Sequence, residues 1–296
     1  MPSALSISSH VVHGYVGNRA MVFPLQFSGW DVDALNTTNY SNHPGYGKFK
    51  GTKSTTDGVK DLFQGLNDII DLAKDYQLII TGYTPSKDVL QIVFDQISEL
   101  YNSNMNPTWI LDPVLGDNGK LYVSEDIIPV YKKILSSGHV TLTTPNQFEF
   151  ELLSGVKIND LDSIRHACEK FKSIFKVSNL VITSIEFIGK IYSIGYTSSN
   201  ELFCIEITKI ECSFNGCGDL FTALLANEFY NNQLELTPKV LGNVLNRLHK
   251  ILQHTFECEK TENKEPFTVV KDLRIISSRQ YLLEPSQVSD YDVIYL

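Results

Sequence analysis

No GxxxxGK[ST] phosphate loop, no H-R-D or D-F-G set and no GxGxxG fingerprint occurs in this sequence. The usual signatures of P-loop NTPases, protein kinases and Rossmann oxidoreductases are therefore missing. An apolar run of about 18 residues is also absent, and the opening MPSALSISSHVVHG has no basic stretch followed by an apolar one. Neither a membrane span nor a secretion signal is expected. The five cysteines (Cys168, Cys204, Cys212, Cys217 and Cys258) form no CxxC pair, which fits free thiols in a reducing compartment. A cytoplasmic or nucleocytoplasmic protein is the expectation. Lys and Arg number 25 against 34 Asp and Glu, for a net charge of -9, and they do not cluster. That balance argues against nucleic acid or a membrane as partner. A small anion remains compatible with it, because backbone dipoles hold anions regardless of net charge.

What is present suits a folded enzyme. With 296 residues, 43% of them hydrophobic, the chain supports a sizeable core. Neither an internal repeat nor a linker is visible, so residues 1–296 read as one domain. Ala4 to Ser8 reads as a strand, Ser9 to Asn18 as a glycine-bearing loop, and Arg19 to Phe27 as a helix that Pro24 kinks or restarts. The alternation goes on with strand Val32 to Thr37, irregular Asn39 to Gly51, helix Thr56 to Lys74, strand Gln77 to Thr81, helix Ser86 to Tyr101 and strand Thr108 to Leu111. In the second half, Val140 to Thr143 and Leu180 to Thr183 read as strands, with helices Asn146 to Leu153 and Leu161 to Phe175 between them. Lys190 to Tyr196 and Leu202 to Lys209 read as a hairpin, followed by helices to Tyr230 and from Pro238 to about Phe256. Cys258 to Pro266 reads as an exposed loop and Phe267 to Ile276 as a closing strand pair or edge. Such alternation implies an α/β fold with a mainly parallel central sheet and helices on both faces. Ligands of such sheets sit beyond the carboxyl ends of the strands.

The stretch ECSFNGCGDLFTALLAN, Glu211 to Asn227, carries the sharpest chemical signal. Gly216, Cys217 and Gly218 stand where helical spacing begins, and Asp219 falls in the first turn. A helix start has unpaired N–H groups and the positive end of the dipole, and glycine lets an anion approach that backbone. The segment has two readings: a turn with a dipole-favoured Asp, or a place that holds a phosphoryl group while Asp219 takes a proton from its acceptor. Asp112 and Asp117, in DPVLGD after a strand, suit either a turn or a divalent cation such as magnesium. Asn146 and Glu149, in TPNQFE, have capping-box spacing and equally suit a nucleotide-bound metal. His10 and His13 are better read as loop polar groups than as zinc ligands, for want of partners. SNHPGYG (41–47) is a reverse turn or a lid, and Tyr83 is a candidate for stacking on a flat ring. A thiol at a helix start, Cys217, is expected to have a lowered pKa and to be alkylated readily unless nucleotide protects it.

Taken in order, SHVVHGYVGNRA, FPLQFSGWDVDALN, SNHPGYG, TGY, DPVLGDNGKLYV, TPNQFEFELLSG, VITS and GCGDLF resemble the pyridoxal kinases of the ribokinase-like superfamily. The resemblance covers Ala4 to Asp219 and, more weakly, the helix ending near Phe256. It implies a ribokinase-like three-layer sandwich and ATP-dependent phosphorylation of the 5'-hydroxymethyl group of pyridoxal, pyridoxine and pyridoxamine. By the same resemblance Asp219 is the catalytic base, and Gly216, Cys217 and Gly218 form the anion hole. Asp117 and Glu149 belong to the divalent-metal side. Asp112, Thr144 and Thr183 match positions associated with a monovalent cation, K+ or Na+. Asn146, Thr183 and Ser184 match ATP positions, with Asp117 and Glu149 beside them. Ser9 and Tyr83 match vitamer contacts, His43 and Pro44 lie in the loop near the vitamer, and a homodimer is implied. Two departures stand out: the family commonly has Thr where this chain has Cys217 and Pro44. The competing expectations are a catalytically weak paralogue that carries pyridoxal phosphate or nucleotide, and a hydroxymethylpyrimidine kinase.

Overall fold

Alternating side chains in the short central strands are buried on both sides, which is what places them in the middle of a sheet. In Thr108–Leu111, Trp109 and Leu111 join one apolar cluster and Ile110 the other, and all three are fully buried. The computed structural model describes residues 1–102, 106–187, 189–263, 265–284 and 292–296.

In chain order the strands of the main sheet are β1 (Ser3–Val11), β2 (Asp31–Tyr40), β3 (Gly51–Lys53), β4 (Leu78–Thr81) and β5 (Thr108–Leu111). A small hairpin, β6 (Gly116–Asp117) with β7 (Lys120–Leu121), precedes β8 (Val140–Thr143), β9 (Asn179–Phe187), β10 (Lys190–Tyr196) and β11 (Leu202–Ile207). A second two-stranded piece pairs β12 (Ser213–Phe214) with β13 (Val269–Val270), and β14 (Val293–Tyr295) returns to the main sheet. That sheet has ten strands in the order β14-β11-β10-β9-β8-β5-β4-β1-β2-β3. The run from β9 through β8, β5, β4 and β1 to β2 is parallel, and the strands flanking it at both edges pair antiparallel.

Helices cover both faces. On one lie α2 (Thr56–Asn67), α4 (Lys87–Leu100), α5 (Ile128–Ser136), α6 (Gln147–Ser154) and α7 (Leu161–Ile174), which bury Phe63, Val93, Tyr131, Phe150 and Phe171. The other face carries α1 (Asn18–Phe27), α8 (Cys217–Asn231) and α9 (Pro238–Glu262), with Met21, Leu224, Phe229 and Leu241 in its core. The result is the three-layer α/β arrangement expected from the sequence. Helix starts follow local chemistry: Thr55, Ser86, Asn146, Asp160 and Thr237 each accept an N–H bond from the first turn.

Several local expectations are corrected. Thr56 to Lys74 is not one helix, because α2 stops at Asn67 and Asp71 caps a separate short turn, α3 (Leu72–Asp75). Helix α5 is not among the expected elements, although Pro129 in its first turn is a helix-start signal. Cys258 to Pro266 is mostly helix rather than loop: Glu and Lys favour the helical state, and Arg274 draws Glu259 and Glu262 to its guanidinium. Lys264, in that stretch, lies outside the described residues. Phe267 to Ile276 contributes only β13, which pairs with β12 and not with the main sheet. Pro24 sits inside α1 without ending it before Phe27.

One buried polar cluster ties α1 to the strands beneath the first loop. Asn18 donates to the carbonyls of Ser8 and Leu35 and to Asn36 Oδ1, and accepts from Ser6 Oγ. Removing that amide leaves buried acceptors unpaired, each costing roughly 1–3 kcal/mol. Asn18→Ala is expected to lower the urea midpoint with an unchanged m-value, as followed by circular dichroism.

Candidate active site

Helix α8 begins where three chain segments meet. Gly216, its N-cap, has φ 79, and a Cβ there would run into the Tyr15 carbonyl. Gly17 has φ 54, and a Cβ there would strike the Ser9 carbonyl and hydroxyl. Both positions need glycine on conformation and on space. This crowding permits a direct link: the Gly17 N–H donates to the Asp219 carboxylate in the first turn of α8. The pairing of β12 with β13 fixes the other side, with the Asn215 N–H on the Val270 carbonyl at 3.2 Å.

Asp219 is half-buried, and its pKa is pushed up to about 6 by burial, against the lowering effect of the Gly17 N–H. Asp112, just beyond β5, is buried, and its pKa is raised by burial and then by the nearby charges of Glu149 and Asp219. Glu149 is pushed up to about 7, by burial first, against three backbone N–H bonds and with Asp117 adding to the rise. These mutual effects place the four carboxylates in one electrostatic neighbourhood. Among the described residues, none of the four pairs with a lysine, arginine or histidine.

Hydrogen bonds weld the surrounding loops together. Glu149 Oε1 accepts from the N–H groups of Leu115 (2.9 Å) and Gly116 (3.3 Å), and Oε2 from that of Asn146 (2.9 Å). Asn146 Oδ1 accepts from the Glu149 N–H at 2.9 Å, which completes a capping box, and its Nδ2 donates to the Gly116 carbonyl. The capping reading is thus present, and it also bolts the start of α6 to the loop that carries Asp117. Asp117 is exposed and accepts from the backbone and side-chain nitrogens of Asn118 within its own turn. Thr144 is buried and shares a 3.2 Å hydrogen bond with Thr222, which donates to Asp112 Oδ2 at 3.3 Å. Thr222 escaped the sequence reading, although three residues after Asp219 it falls on the same face of α8.

The strand expected to end at Thr183 runs on to Phe187, so Thr183 and Ser184 both lie inside β9. They sit at a register shift against β10, and the Thr183 N–H bonds out of the ladder to the Pro145 carbonyl at 3.0 Å. Thr183 is half-buried and Ser184 exposed. The bulge takes both residues out of regular pairing with β10, and Thr183 reaches the 144–146 segment through its N–H. Ser9 ends up inside β1 and not in a loop, nearly buried, with Gly17 against it. Tyr83 is half-buried and its phenol is pushed up to about 12 by burial and by Tyr40. His43 is buried, while Pro44 is exposed at the first position of the turn Pro44–Tyr46.

One expectation is overturned. Burial, followed by the neighbouring Asp219 charge, pushes the Cys217 thiol up to about 12, opposite to the lowering expected at a helix start. Gly218 is exposed beside it.

The donor set suits a hard cation. Carboxylate and hydroxyl oxygens predominate, and among the described residues no three His, Cys, Asp or Glu side chains form a cage. Oxygen donors of this kind are those a hard cation such as magnesium takes, with water and phosphate at its other positions.

A model of the phosphomethylpyrimidine kinase family matches residues 67–239. Over nearly its full length the chain is 38% identical to a pyridoxal kinase of Arabidopsis thaliana, covering 95% of this chain and 91% of that one. With the pyridoxal kinase of Homo sapiens the identity is 35%, over 98% of each. The chain belongs to the pyridoxal kinase family. Its fold places it with the ribokinase-like kinases, and the pyridoxal kinase of Leishmania donovani in complex with ADP and pyridoxamine superimposes with a TM-score of 0.87 at 31% identity over 100% of both chains.

Two outcomes follow for a pyridoxal kinase built this way. Because the folded state raises the pKa of Asp219 above its ordinary 3.8, the native protein binds more protons than the unfolded one between those values, so stability falls as pH rises through about 6. Asp219→Asn should therefore melt higher than wild type at pH 8 and at nearly the same temperature at pH 4, by scanning calorimetry. Cys217 should react with iodoacetamide at pH 7.5 roughly tenfold or more slowly in the native protein than in the urea-unfolded chain, as read by mass spectrometry.

Proposed function

We propose that the chain transfers the γ-phosphoryl group of ATP to the 5'-hydroxymethyl oxygen of pyridoxal, pyridoxine and pyridoxamine, giving pyridoxal 5'-phosphate and its relatives. The observation that carries the reading is the position of Asp219: a half-buried carboxylate in the first turn of a helix that opens on a left-handed glycine. Solved relatives support the substrates, since Leishmania donovani pyridoxal kinase has been captured with ADP together with pyridoxamine or pyridoxine.

The residues divide the work as phosphoryl transfer requires, which is alignment and charge stabilisation more than covalent chemistry. Asp219, held by the Gly17 N–H, accepts the proton of the attacking alcohol. The main-chain N–H groups at Gly216, Cys217 and Gly218 face the charge that grows on the phosphoryl oxygens. Such a donor is worth roughly 3–4 kcal/mol in other enzymes, and it survives the exchange of Thr for Cys because it belongs to the backbone. Asn146, Thr183 and Ser184 bind the nucleotide. Asp117 and Glu149 would hold a divalent cation, which would neutralise phosphate charge. Asp112, Thr144 and Thr183 would hold a monovalent cation. Ser9, His43, Pro44 and Tyr83 form the vitamer end, where Pro44 removes a donor and bears on substrate preference more than on turnover. The assembly is a homodimer, and sedimentation at micromolar concentration tests that. Among the described residues, no helix is long and apolar enough to cross a membrane.

The phosphomethylpyrimidine match over 67–239 favours one rival substrate, hydroxymethylpyrimidine. A panel of the three vitamers and hydroxymethylpyrimidine at saturating ATP decides between them. Phosphorylation of pyridoxal with little of the pyrimidine is expected, and product from none of the four would point to a carrier. Asp219→Asn should lower kcat by about 10²- to 10⁴-fold, the range of general-base effects, with the KM for ATP little changed. In the wild type, kcat should rise with pH through about 6, and the variant should lose that limb.

A further inference from the structure

Asp272 follows β13 by two residues, on the segment whose pairing with β12 sets the approach to Gly216. Side chains from two distant loops reach its carboxylate. Tyr46 Oη donates to Oδ2. His43 Nε2 lies 3.8 Å from Oδ1, and His13 Nε2 lies 3.7 Å from Oδ2. Gly14, next to His13, comes so near that a Cβ would run into the carboxylate. His13 and Gly14 belong to the loop that carries Gly17, whereas His43 and Tyr46 flank the turn Pro44–Tyr46.

The turn has few other ties to the body of the protein. Most of residues 41–50 are exposed, and many of their hydrogen bonds are internal: Asn42 Nδ2 to the Lys48 carbonyl, and the Ser41 N–H to the Lys50 carbonyl. Apart from the His13 N–H on the Ser41 carbonyl at 2.9 Å, the His13 ring against Tyr46 and the Phe49 ring against Tyr40, its outward contacts gather on residues 271–272. His43, buried, donates Nε2–H to the Lys271 carbonyl at 2.9 Å, the Lys271 ammonium sits 4.9 Å from the centre of the Tyr46 ring, and Tyr46 meets Asp272. Asn215, one residue before Gly216, lies beside Gly45 and donates to the Val270 carbonyl. Ordering a backbone costs roughly 1–2 kcal/mol per residue, so a mostly exposed turn whose one ring anchor, Phe49 on Tyr40, lies at its far end leans on these few polar contacts around His43 and Tyr46. Asp272 Oδ1 is buried without a hydrogen bond, a cost that packing alone does not explain.

We infer that Asp272 is a positioning residue, which holds the 42–47 turn against the vitamer end of the cleft and ties that turn to the segment leading into Gly216. It touches neither phosphate nor alcohol in this scheme, and acts through Tyr46 and His43. The inference rests on the reading that the alcohol substrate binds beside Asp219 under this turn.

The test compares full-length wild type, Asp272→Asn, Tyr46→Phe and the double variant. Asp272→Asn should raise the KM for pyridoxal about tenfold while the KM for ATP and the melting temperature stay close to wild type. Backbone amides of residues 41–50 should exchange faster with deuterium than in wild type, without substrate present. Tyr46→Phe should move both readouts in the same direction, and the double variant should fall clearly short of the sum of the two, because one change weakens and the other removes the same Tyr46–Asp272 bond. An unchanged KM for pyridoxal with unchanged exchange overturns the inference. A joint rise of both KM values with a lower melting temperature also overturns it, in favour of a purely structural carboxylate. If the wild type phosphorylates no vitamer, the functional reading fails by itself, and the exchange data still decide whether Asp272 holds the turn.

Discussion

Buried negative charge without a cationic side chain to answer it is the constraint around which this molecule is arranged. Asp112, Glu149 and Asp219 each keep a proton more readily than usual, and burial is the leading cause in all three. The fold answers with backbone N–H groups: three on Glu149 and one from Gly17 on Asp219. It also answers with the Thr222 hydroxyl on Asp112. Those donors offset part of the repulsion and leave the rest as a local cost in stability.

The same constraint explains why the loops are bonded so tightly to one another. A capping box ordinarily starts a helix and nothing more. Here Glu149 also gathers the N–H groups of Leu115 and Gly116, and Asn146 reaches the Gly116 carbonyl. Helix start and acidic loop become one rigid corner, so the capping reading of TPNQFE is present and stays compatible with the chemical one proposed above.

Much of this was legible in the chain itself. The alternation of buried strands and amphipathic helices revealed the order of layers, because periods of two and of 3.6 are written directly in the apolar residues. Thr108–Leu111 and Val140–Thr143 appear with the expected bounds. Asp219 after two glycines was visible because helix starts have a local signature. What was not visible depends on partners far away in sequence. Cys217 looked like a reactive thiol from its place at a helix start, but the enclosure that pushes its pKa up comes from the tertiary structure. Thr183 and Ser184 fall at a register shift against β10, and Pro145 accepts the Thr183 N–H, neither of which a local pattern announces. Helix α9 outran its expected end because Arg274 gathers its last acidic residues. Asp272 carried no motif at all, and its place is set by β13 choosing β12 over the main sheet.

That two-residue pairing has a consequence for how the protein is made. Residues 269–270 lie some fifty positions after the glycines they brace, and a ribosome delivers them later. The nascent chain can lay down its parallel strands and α8 while the approach to Gly216 still lacks its brace. Competence for catalysis would then wait for a small docking event onto parallel strands already in place.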